Sequence, residues 1–200
     1  MKEEIILDLE KIGAVKFGEF TLKSGMISPI YIDLRVLVSY PETLEKISKE
    51  FVQILGGLKA DLIAGIPYTA LPIATAISIE SKIPMIYTRK EVKDYGTKKK
   101  IEGVFTEGQT CVVIDDLITA GTSKFEVIAP IEEAGLIVKD IIVLVDREQG
   151  GTALLAEKGY ALHSVITIHE VLDTLLENKK ITEEQYKVSK EFVEQNVVKK

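Results

Sequence analysis

Two adjacent carboxylates, Asp115 and Asp116, directly follow an apolar run and precede a loop of small and hydroxyl-bearing residues. The apolar residues 112–114 predict a strand buried on both faces, as in a parallel sheet. The carboxyl end of such a strand is where open α/β folds bind ligands. Because residues 119–123 have little side-chain bulk, their backbone N–H groups could approach an anion closely, aided by the dipole of a following helix. The pattern indicates a ligand with a phosphate at one end and hydroxyls or a metal at the other, such as a sugar phosphate.

The alternative is an ordinary strand–turn–helix corner with solvated aspartates. Two other phosphate-binding motifs, G-x-x-x-x-G-K-[ST] and G-x-G-x-x-G, do not occur in the sequence. Residues 111–123 closely resemble the phosphoribosyl pyrophosphate (PRPP) signature of type I phosphoribosyltransferases. The resemblance implies that the two carboxylates hold the ribose hydroxyls and that residues 119–123 wrap the 5′-phosphate. The implied PRPP-binding set here is Asp115, Asp116, Leu117, Ile118, Thr119, Ala120, Gly121, Thr122 and Ser123.

A basic segment lies upstream of this motif in a chain whose net charge is −6. Residues 89–103 contain two glycines, lack apolar periodicity and are too many for a tight connection. We therefore expect a mobile catalytic lid that carries cations to a small, highly charged anion. An ordinary solvated loop is the alternative. The cations are Arg89, Lys90, Lys93, Lys98, Lys99 and Lys100.

Four separated stretches narrow the resemblance to orotate phosphoribosyltransferases, including the transferase half of bifunctional UMP synthases. They are residues 20–25 with 28–31, residues 65–72, residues 89–96 and residues 146–151. The resemblance covers residues 17–151. It implies that Arg89, Lys90 and Lys93 bind pyrophosphate as part of the PRPP site, with Lys93 assisting its departure.

The same resemblance implies an orotate site. Arg147 would pair with the orotate carboxylate, which a guanidinium can grip through two hydrogen bonds. Thr119 would also bind orotate, Tyr31 would stack on the pyrimidine ring, and Lys23 would border both orotate and PRPP. The alternatives are a surface ion pair for Arg147, a packed strand aromatic for Tyr31 and an exposed strand lysine for Lys23.

These assignments match the chemistry of breaking the bond between C1 and pyrophosphate. Carboxylates can stabilise positive charge on the ribose ring, and lid cations can stabilise the leaving group. The catalytic residues would be Lys93, Asp115 and Asp116. Mg²⁺ would be held mainly through PRPP, because no His, Cys and carboxylate constellation offers a metal cage.

The expected reaction converts orotate and PRPP to orotidine 5′-phosphate and pyrophosphate in pyrimidine (UMP) biosynthesis. The alternatives are a purine-base phosphoribosyltransferase and a PRPP-sensing regulator. The resemblance also implies a homodimer whose lid cations act on the neighbouring subunit. It has two departures: Tyr95 stands where many bacterial relatives carry a histidine, and Ala64 where some carry a lysine.

Composition limits the partners and the setting. The negative net charge argues against general nucleic-acid binding. No segment reaches the roughly 18 uninterrupted apolar residues that span a bilayer. The absence of a signal-peptide pattern and the single cysteine, Cys111, predict a cytoplasmic protein. Cys111 is expected to be a buried small residue, and His163 and His169 are assigned no role.

The elements that must position these residues follow a β–α alternation. It predicts one α/β domain over residues 1–200, with a mainly parallel five-stranded sheet flanked by helices. Residues 1–40 would contribute a hood containing two strands, 61–168 the core sheet and 89–103 the lid. Capping boxes predict helix starts at Ser39 and Thr182. The core strands are predicted at 62–66, 84–87, 111–115, 140–145 and 162–168, and helices at 4–12, 69–81, 123–134 and 152–158.

Overall fold

A computed structural model describes residues 1–22, 25–89 and 100–198. The helices are α1 (Lys2–Lys11), α2 (Pro41–Leu55), α3 (Ala70–Ser81), α4 (Phe125–Glu133), α5 (Gly151–Glu157), α6 (Ile168–Glu177) and α7 (Glu183–Gln195). The strands are β1 (Val15–Thr21), β2 (Ile27–Ile32), β3 (Leu62–Gly65), β4 (Met85–Thr88), β5 (Ile101–Glu102), β6 (Thr110–Ile118), β7 (Ile137–Asp146) and β8 (Ala161–Thr167). Two short 3₁₀ turns, Leu34–Ser39 and Thr122–Lys124, complete the set.

The core sheet has the strand order β5-β4-β3-β6-β7-β8. The five predicted parallel strands are confirmed, and β5 is an additional antiparallel strand at the edge. Sequence analysis assigned the residues of β5 to the lid. They form a strand because Thr88 pairs with Ile101, whose side chain is buried in the core. The segment between β4 and β5 therefore begins and ends on neighbouring strands.

Strand β6, which carries the two carboxylates, is longer than predicted. It continues to Ile118 because β7 extends alongside it, with Asp115 opposite Val143 and Leu117 opposite Val145. The two carboxylates therefore lie on the part of β6 that is still paired with β7, rather than beyond the end of the strand. Their positions are fixed by ladder hydrogen bonds on the sheet.

Helices cover both faces of the sheet. Alternate residues of β6 point to opposite sides, as strand geometry requires. Val112 and Ile114 pack in a cluster with α1, α2, α3 and α6, whereas Cys111 and Val113 pack with α4 and α5. Cys111 is completely buried, as predicted. Within the described residues, no helix combines the length and the apolar character needed to cross a bilayer.

The N-terminal region contains the two predicted strands, paired antiparallel as β1 and β2. The capping box predicted at Ser39 is wrong. Asp33 instead caps the 3₁₀ turn that contains Ser39, accepting a hydrogen bond from the Arg35 N–H at 3.2 Å. Helix α2 then begins at Pro41, whose fixed φ suits the first helical position. The capping box of Thr182 with Gln185 is confirmed.

The predicted helix 123–134 is divided. The 3₁₀ turn Thr122–Lys124 precedes α4, which contains Pro130 within its nine residues. Proline removes a helical hydrogen bond, consistent with so short a helix. Lys124 therefore directly precedes α4. It follows residues 119–123 (the phosphate loop), which are predicted to bind a phosphate.

Candidate functional site

A cleft of about 740 Å³ lies at the carboxyl edge of the parallel strands. Asp115, Asp116 and Leu117 lie in β6, and Thr88 is the last residue of β4. Arg89 directly follows β4, and Arg147 directly follows β7. Parallel strands end at the same edge of a sheet, so residues distant in sequence meet there. The other lining residues are Ile66, Pro67, Ser123, Lys124, Glu126 and Val127.

Asp115 is the most enclosed acid of the cleft, with 5% of its surface exposed. Its carboxylate forms an ion pair with Lys124, and its Oδ1 accepts the Asp116 N–H at 2.9 Å. Burial raises the pKa of the Asp115 carboxyl above its ordinary value, and the Lys124 ammonium opposes that rise. Asp116 is less buried, and its Oδ1 accepts the Leu117 N–H at 2.8 Å. Each aspartate side chain is thus held by a hydrogen bond from the backbone N–H of the next residue.

The loop after β6 is tightly packed against the start of α5. Gly121 has a φ of 84°, a left-handed conformation that favours glycine. At Gly151, an added Cβ would lie 2.7 Å from Ile118 Cδ1 and 2.8 Å from the Thr119 carbonyl oxygen. The loop can lie this close because Gly151 has no side chain. Of the loop residues, Ser123 lines the cleft, while Ala120 and Thr122 line a neighbouring cavity of about 100 Å³.

Arg147 brings a cation to the cleft. Its backbone N–H donates to the Ile118 carbonyl at 3.0 Å, which joins its loop to the end of β6. Its side-chain Nε is buried and has no hydrogen-bond partner among the described residues, and burial lowers the pKa of the guanidinium. A buried donor without a partner is costly. The arrangement therefore favours an anionic ligand beside Arg147.

Asp146 fixes the loop that carries Arg147. Its Oδ1 accepts the Glu148 N–H at 2.8 Å and its Oδ2 accepts the Thr152 hydroxyl at 3.0 Å. On the outer side, His169 Nδ1 lies 2.5 Å from a Glu148 carboxylate oxygen. His163 Nε2 lies 2.8 Å from Asp140 Oδ1, at the opposite end of β7. Both histidines therefore have acidic neighbours outside the cleft lining.

Arg89 and Lys100 are the two cations of the predicted lid that lie within the described residues. The Arg89 N–H donates to the Lys100 carbonyl at 2.9 Å, and the Arg89 guanidinium pairs with Glu102. The Lys100 ammonium lies 3.0 Å from a Glu133 carboxylate oxygen, so it contacts α4. The remaining lid predictions, together with Lys23, lie outside the described residues: Lys90, Lys93, Tyr95, Lys98 and Lys99.

Two residues predicted to bind orotate are not brought to the cleft lining, as far as the described residues show. The ring of Tyr31 stacks on Phe20 with a centroid distance of 5.3 Å, and its hydroxyl accepts a hydrogen bond from Arg35 at 3.1 Å. Thr119 directly follows β6 and is not among the described residues that line the cleft, although Leu117 and Ser123 on either side of it are. Ala64, at the position of a lysine in some relatives, is completely buried in β3.

Sequence reasoning missed Lys124, although its side chain lies beside Asp115. A cation in the first turn of a helix is unfavourable with the helix dipole. That anomaly was the available signal, since it implies that the lysine has an acidic partner elsewhere. Sequence reasoning also left out the other lining residues outside the motif, namely Ile66, Pro67, Thr88, Glu126 and Val127.

Comparison with known proteins agrees with this geometry. A sequence model of the phosphoribosyl transferase domain matches residues 39–156. The chain is 43% identical over 194 residues to uridine 5′-monophosphate synthase of Bos taurus, covering 96% of this chain and 40% of that protein. It is 36% identical over 196 residues to an orotate phosphoribosyltransferase of Chlamydia caviae, covering 97% of this chain and 95% of that protein. The structure of Leishmania donovani UMP synthase superimposes with a TM-score of 0.90 at 43% identity, covering 97% of this chain and 42% of that one.

Proposed function

The chain belongs to the phosphoribosyltransferase family, within its orotate phosphoribosyltransferase members, and from that premise we propose its reaction and the roles of its residues. It transfers the 5-phosphoribosyl group of PRPP to orotate, giving orotidine 5′-phosphate and pyrophosphate, in pyrimidine biosynthesis. Because the chain spans about two fifths of the UMP synthases it matches, the proposal concerns the transferase reaction alone.

One observation carries the proposal: two fixed carboxylates face the same cleft as a guanidinium whose buried Nε has no hydrogen-bond partner among the described residues. Asp115 and Asp116 suit the hydroxyls of a sugar and the positive charge that develops on its ring. The Arg147 guanidinium suits the carboxylate of orotate, which distinguishes orotate from uncharged bases. The cleft thus provides complementary charge for a sugar donor and an acidic acceptor.

PRPP would bind along the end of β6 and its loop. The ribose hydroxyls donate to the carboxylates of Asp115 and Asp116, and the backbone N–H groups of residues 119–123 donate to the 5′-phosphate. As the bond from C1 to pyrophosphate breaks, the carboxylates face the cationic ring. Because backbone hydrogen bonds already hold both aspartates, little reorganisation is needed in the transition state.

Orotate would lie on the Arg147 side of the cleft. The guanidinium holds the orotate carboxylate and thereby orients the ring nitrogen toward C1. Roles for Lys23, Tyr31 and Thr119 in binding orotate stay predictions. For Tyr31 they require the ring to leave its stacking contact with Phe20.

The leaving pyrophosphate would meet Arg89 at the cleft and Lys90 and Lys93 on the lid. Mg²⁺, when bound, neutralises charge on the pyrophosphate oxygens. No cluster of three or more His, Cys, Asp or Glu residues in the described ranges could hold a metal. We propose that PRPP carries most of the ion's ligands, because Mg²⁺ usually binds through substrate phosphates and one or two carboxylates. We also propose a homodimer that shares lid cations between subunits, and the division into hood, core sheet and lid.

The test is a steady-state assay with PRPP and Mg²⁺, which follows the loss of orotate absorbance. Orotate is expected to be consumed, and uracil, which lacks the carboxylate, is expected to be a much poorer acceptor. Turnover of hypoxanthine or guanine but not orotate would overturn the proposal.

The role of Arg147 has its own test. Arg147→Gln should reduce kcat/KM for orotate by roughly 10²-fold, the scale of a lost charge-assisted pair. Uracil should lose much less, because it never paired with the guanidinium. Equal losses for the two bases would contradict the assignment of Arg147 to the orotate carboxylate.

A further inference from the structure

Lys124 is a buried lysine inside the cleft that the reaction above does not use. Its surface is 5% exposed, and lysine is almost never buried to this degree without a partner. Its ammonium contacts the Asp115 carboxylate and donates to the Leu117 carbonyl at 2.9 Å. Both acceptors belong to β6, whereas Lys124 lies at the far end of the loop that follows β6.

These contacts close the loop onto the strand from which it starts. Lys124 is the last residue of the 3₁₀ turn, and its backbone N–H donates to the Gly121 carbonyl at 3.1 Å. The side chain fastens one end of residues 118–124 to β6, and the backbone fastens the turn within it. The loop is therefore shaped by bonds within the protein before any phosphate is present.

Both acidic and basic groups lie near Asp115, and Lys124 is the cation that contacts its carboxylate. Asp116 is adjacent on β6, Glu126 lies on α4, and the guanidinium groups of Arg89 and Arg147 line the same cleft. Burial and the neighbouring Asp116 favour the protonated form of Asp115, and Lys124 favours the carboxylate. A protonated Asp115 would lose acceptor capacity toward the ribose hydroxyls.

We propose that Lys124 is a positioning residue that keeps Asp115 in its acceptor form and holds the phosphate loop in its binding shape before PRPP arrives. The proposal rests on the proposed function only in naming PRPP as the ligand. Lys124 acts through Asp115 and the loop rather than by touching the reacting atoms.

The test compares Lys124→Gln, which keeps a hydrogen-bond donor and loses the charge, with Lys124→Arg, which keeps the charge. Lys139→Gln is the matched control, since Lys139 is exposed near the start of β7, at the end of the strand opposite Arg147. The measurements are PRPP binding by calorimetry and kcat/KM for PRPP across pH, with thermal unfolding of each variant.

Lys124→Gln should weaken PRPP binding roughly tenfold near neutral pH, the scale of one lost charge-assisted interaction. The acid limb of its profile of kcat/KM against pH should lie at higher pH than that of the parent protein, because Asp115 without its cation protonates more readily. Lys124→Arg should restore the limb, and Lys139→Gln should match the parent protein. If the Lys124→Gln limb coincides with that of the parent, or if Lys124→Arg fails to restore a displaced limb, the proposal is overturned.

Two further results separate this proposal from the proposed function. Should Lys124→Gln not fold, Lys124→Arg alone decides: a parent-like pH profile supports a role of charge, and a displaced one contradicts it. A parent protein that binds PRPP but does not consume orotate would refute the acceptor assignment, while the pH dependence of PRPP binding would still test Lys124.

Discussion

Two ion pairs at opposite ends of α4 differ in their surroundings and therefore in their expected worth. Lys124, which directly precedes the helix, pairs with Asp115 on the cleft floor, and both side chains are less than a tenth exposed. Glu133, at the end of the helix, pairs with Lys100 at the base of the predicted lid (the lid base), and both side chains are more than half exposed. Water and salt screen the second pair, while the first is shielded from both. The comparison indicates that internal bonds fix the cleft floor around Asp115, whereas Lys100, at the base of the predicted lid, is free to adjust.

The largest expected effect tests the buried pair directly. Asp115→Asn leaves the Lys124 ammonium buried without a carboxylate, so the free energy of unfolding should fall by about 3–5 kcal/mol. The measurement is urea unfolding followed by circular dichroism. The matched variant Glu133→Gln should lose only about 0–1 kcal/mol. Similar small losses in both variants would remove the difference between the two pairs.

The next effect concerns catalysis by the lid rather than the floor. Lys93→Ala should lower kcat by roughly 10²–10³-fold, the scale of losing one group that stabilises developing charge. PRPP affinity measured by calorimetry should change little, because Asp115, Asp116 and the loop remain. Lys98→Ala, which removes a lid lysine outside the proposed pyrophosphate-binding set of Arg89, Lys90 and Lys93, is the control and should retain turnover. Unchanged turnover in Lys93→Ala would contradict the lid mechanism.

A smaller effect should follow from crowding the phosphate loop. Gly151→Ala places a methyl group against Ile118 and the Thr119 carbonyl, and the carbonyl is backbone that cannot move alone. We expect KM for PRPP to rise roughly tenfold, within the range of about 1–3 kcal/mol for overpacking. Gly57→Ala is the control, because the nearest atom to its Cβ is the Ile54 carbonyl oxygen at 3.6 Å. A parent-like KM in Gly151→Ala would mean that the loop shifts freely.

The same contrast explains what the sequence could predict. The five parallel strands, and the position of Asp115 and Asp116 at the end of one of them, could be predicted because runs of apolar residues can be read directly from the sequence. The antiparallel strand β5 has two residues and forms only because Ile101 finds a place in the core, which no periodicity reports. The start predicted at Ser39 failed because Asp33 and Pro41 are the stronger local signals.

Within the site, the motifs predict roles for residues 115–123 and Arg147, and these roles stay predictions. The structure brings Asp115, Asp116 and Arg147 to one cleft. The pairing of Lys124 with Asp115 depends on how the loop folds back over nine residues, so spacing alone did not reveal it. The stacking of Tyr31 on Phe20 is likewise a tertiary contact between neighbouring strands.

The smallest expected effect is at the lid base and defines the other end of the comparison. Lys100→Gln should change the free energy of unfolding by about 0–1 kcal/mol, because an exposed pair gains little over separate hydration. A double-mutant cycle with Glu133→Gln should give a coupling energy in the same range and smaller still at high salt, since ions screen exposed charges. A coupling of about 2 kcal/mol or more, insensitive to salt, would exceed the range for exposed pairs. It would mean that the lid base is held to α4 as firmly as Lys124 holds Asp115, and the distinction between a fixed floor and an adjustable lid base would then be wrong.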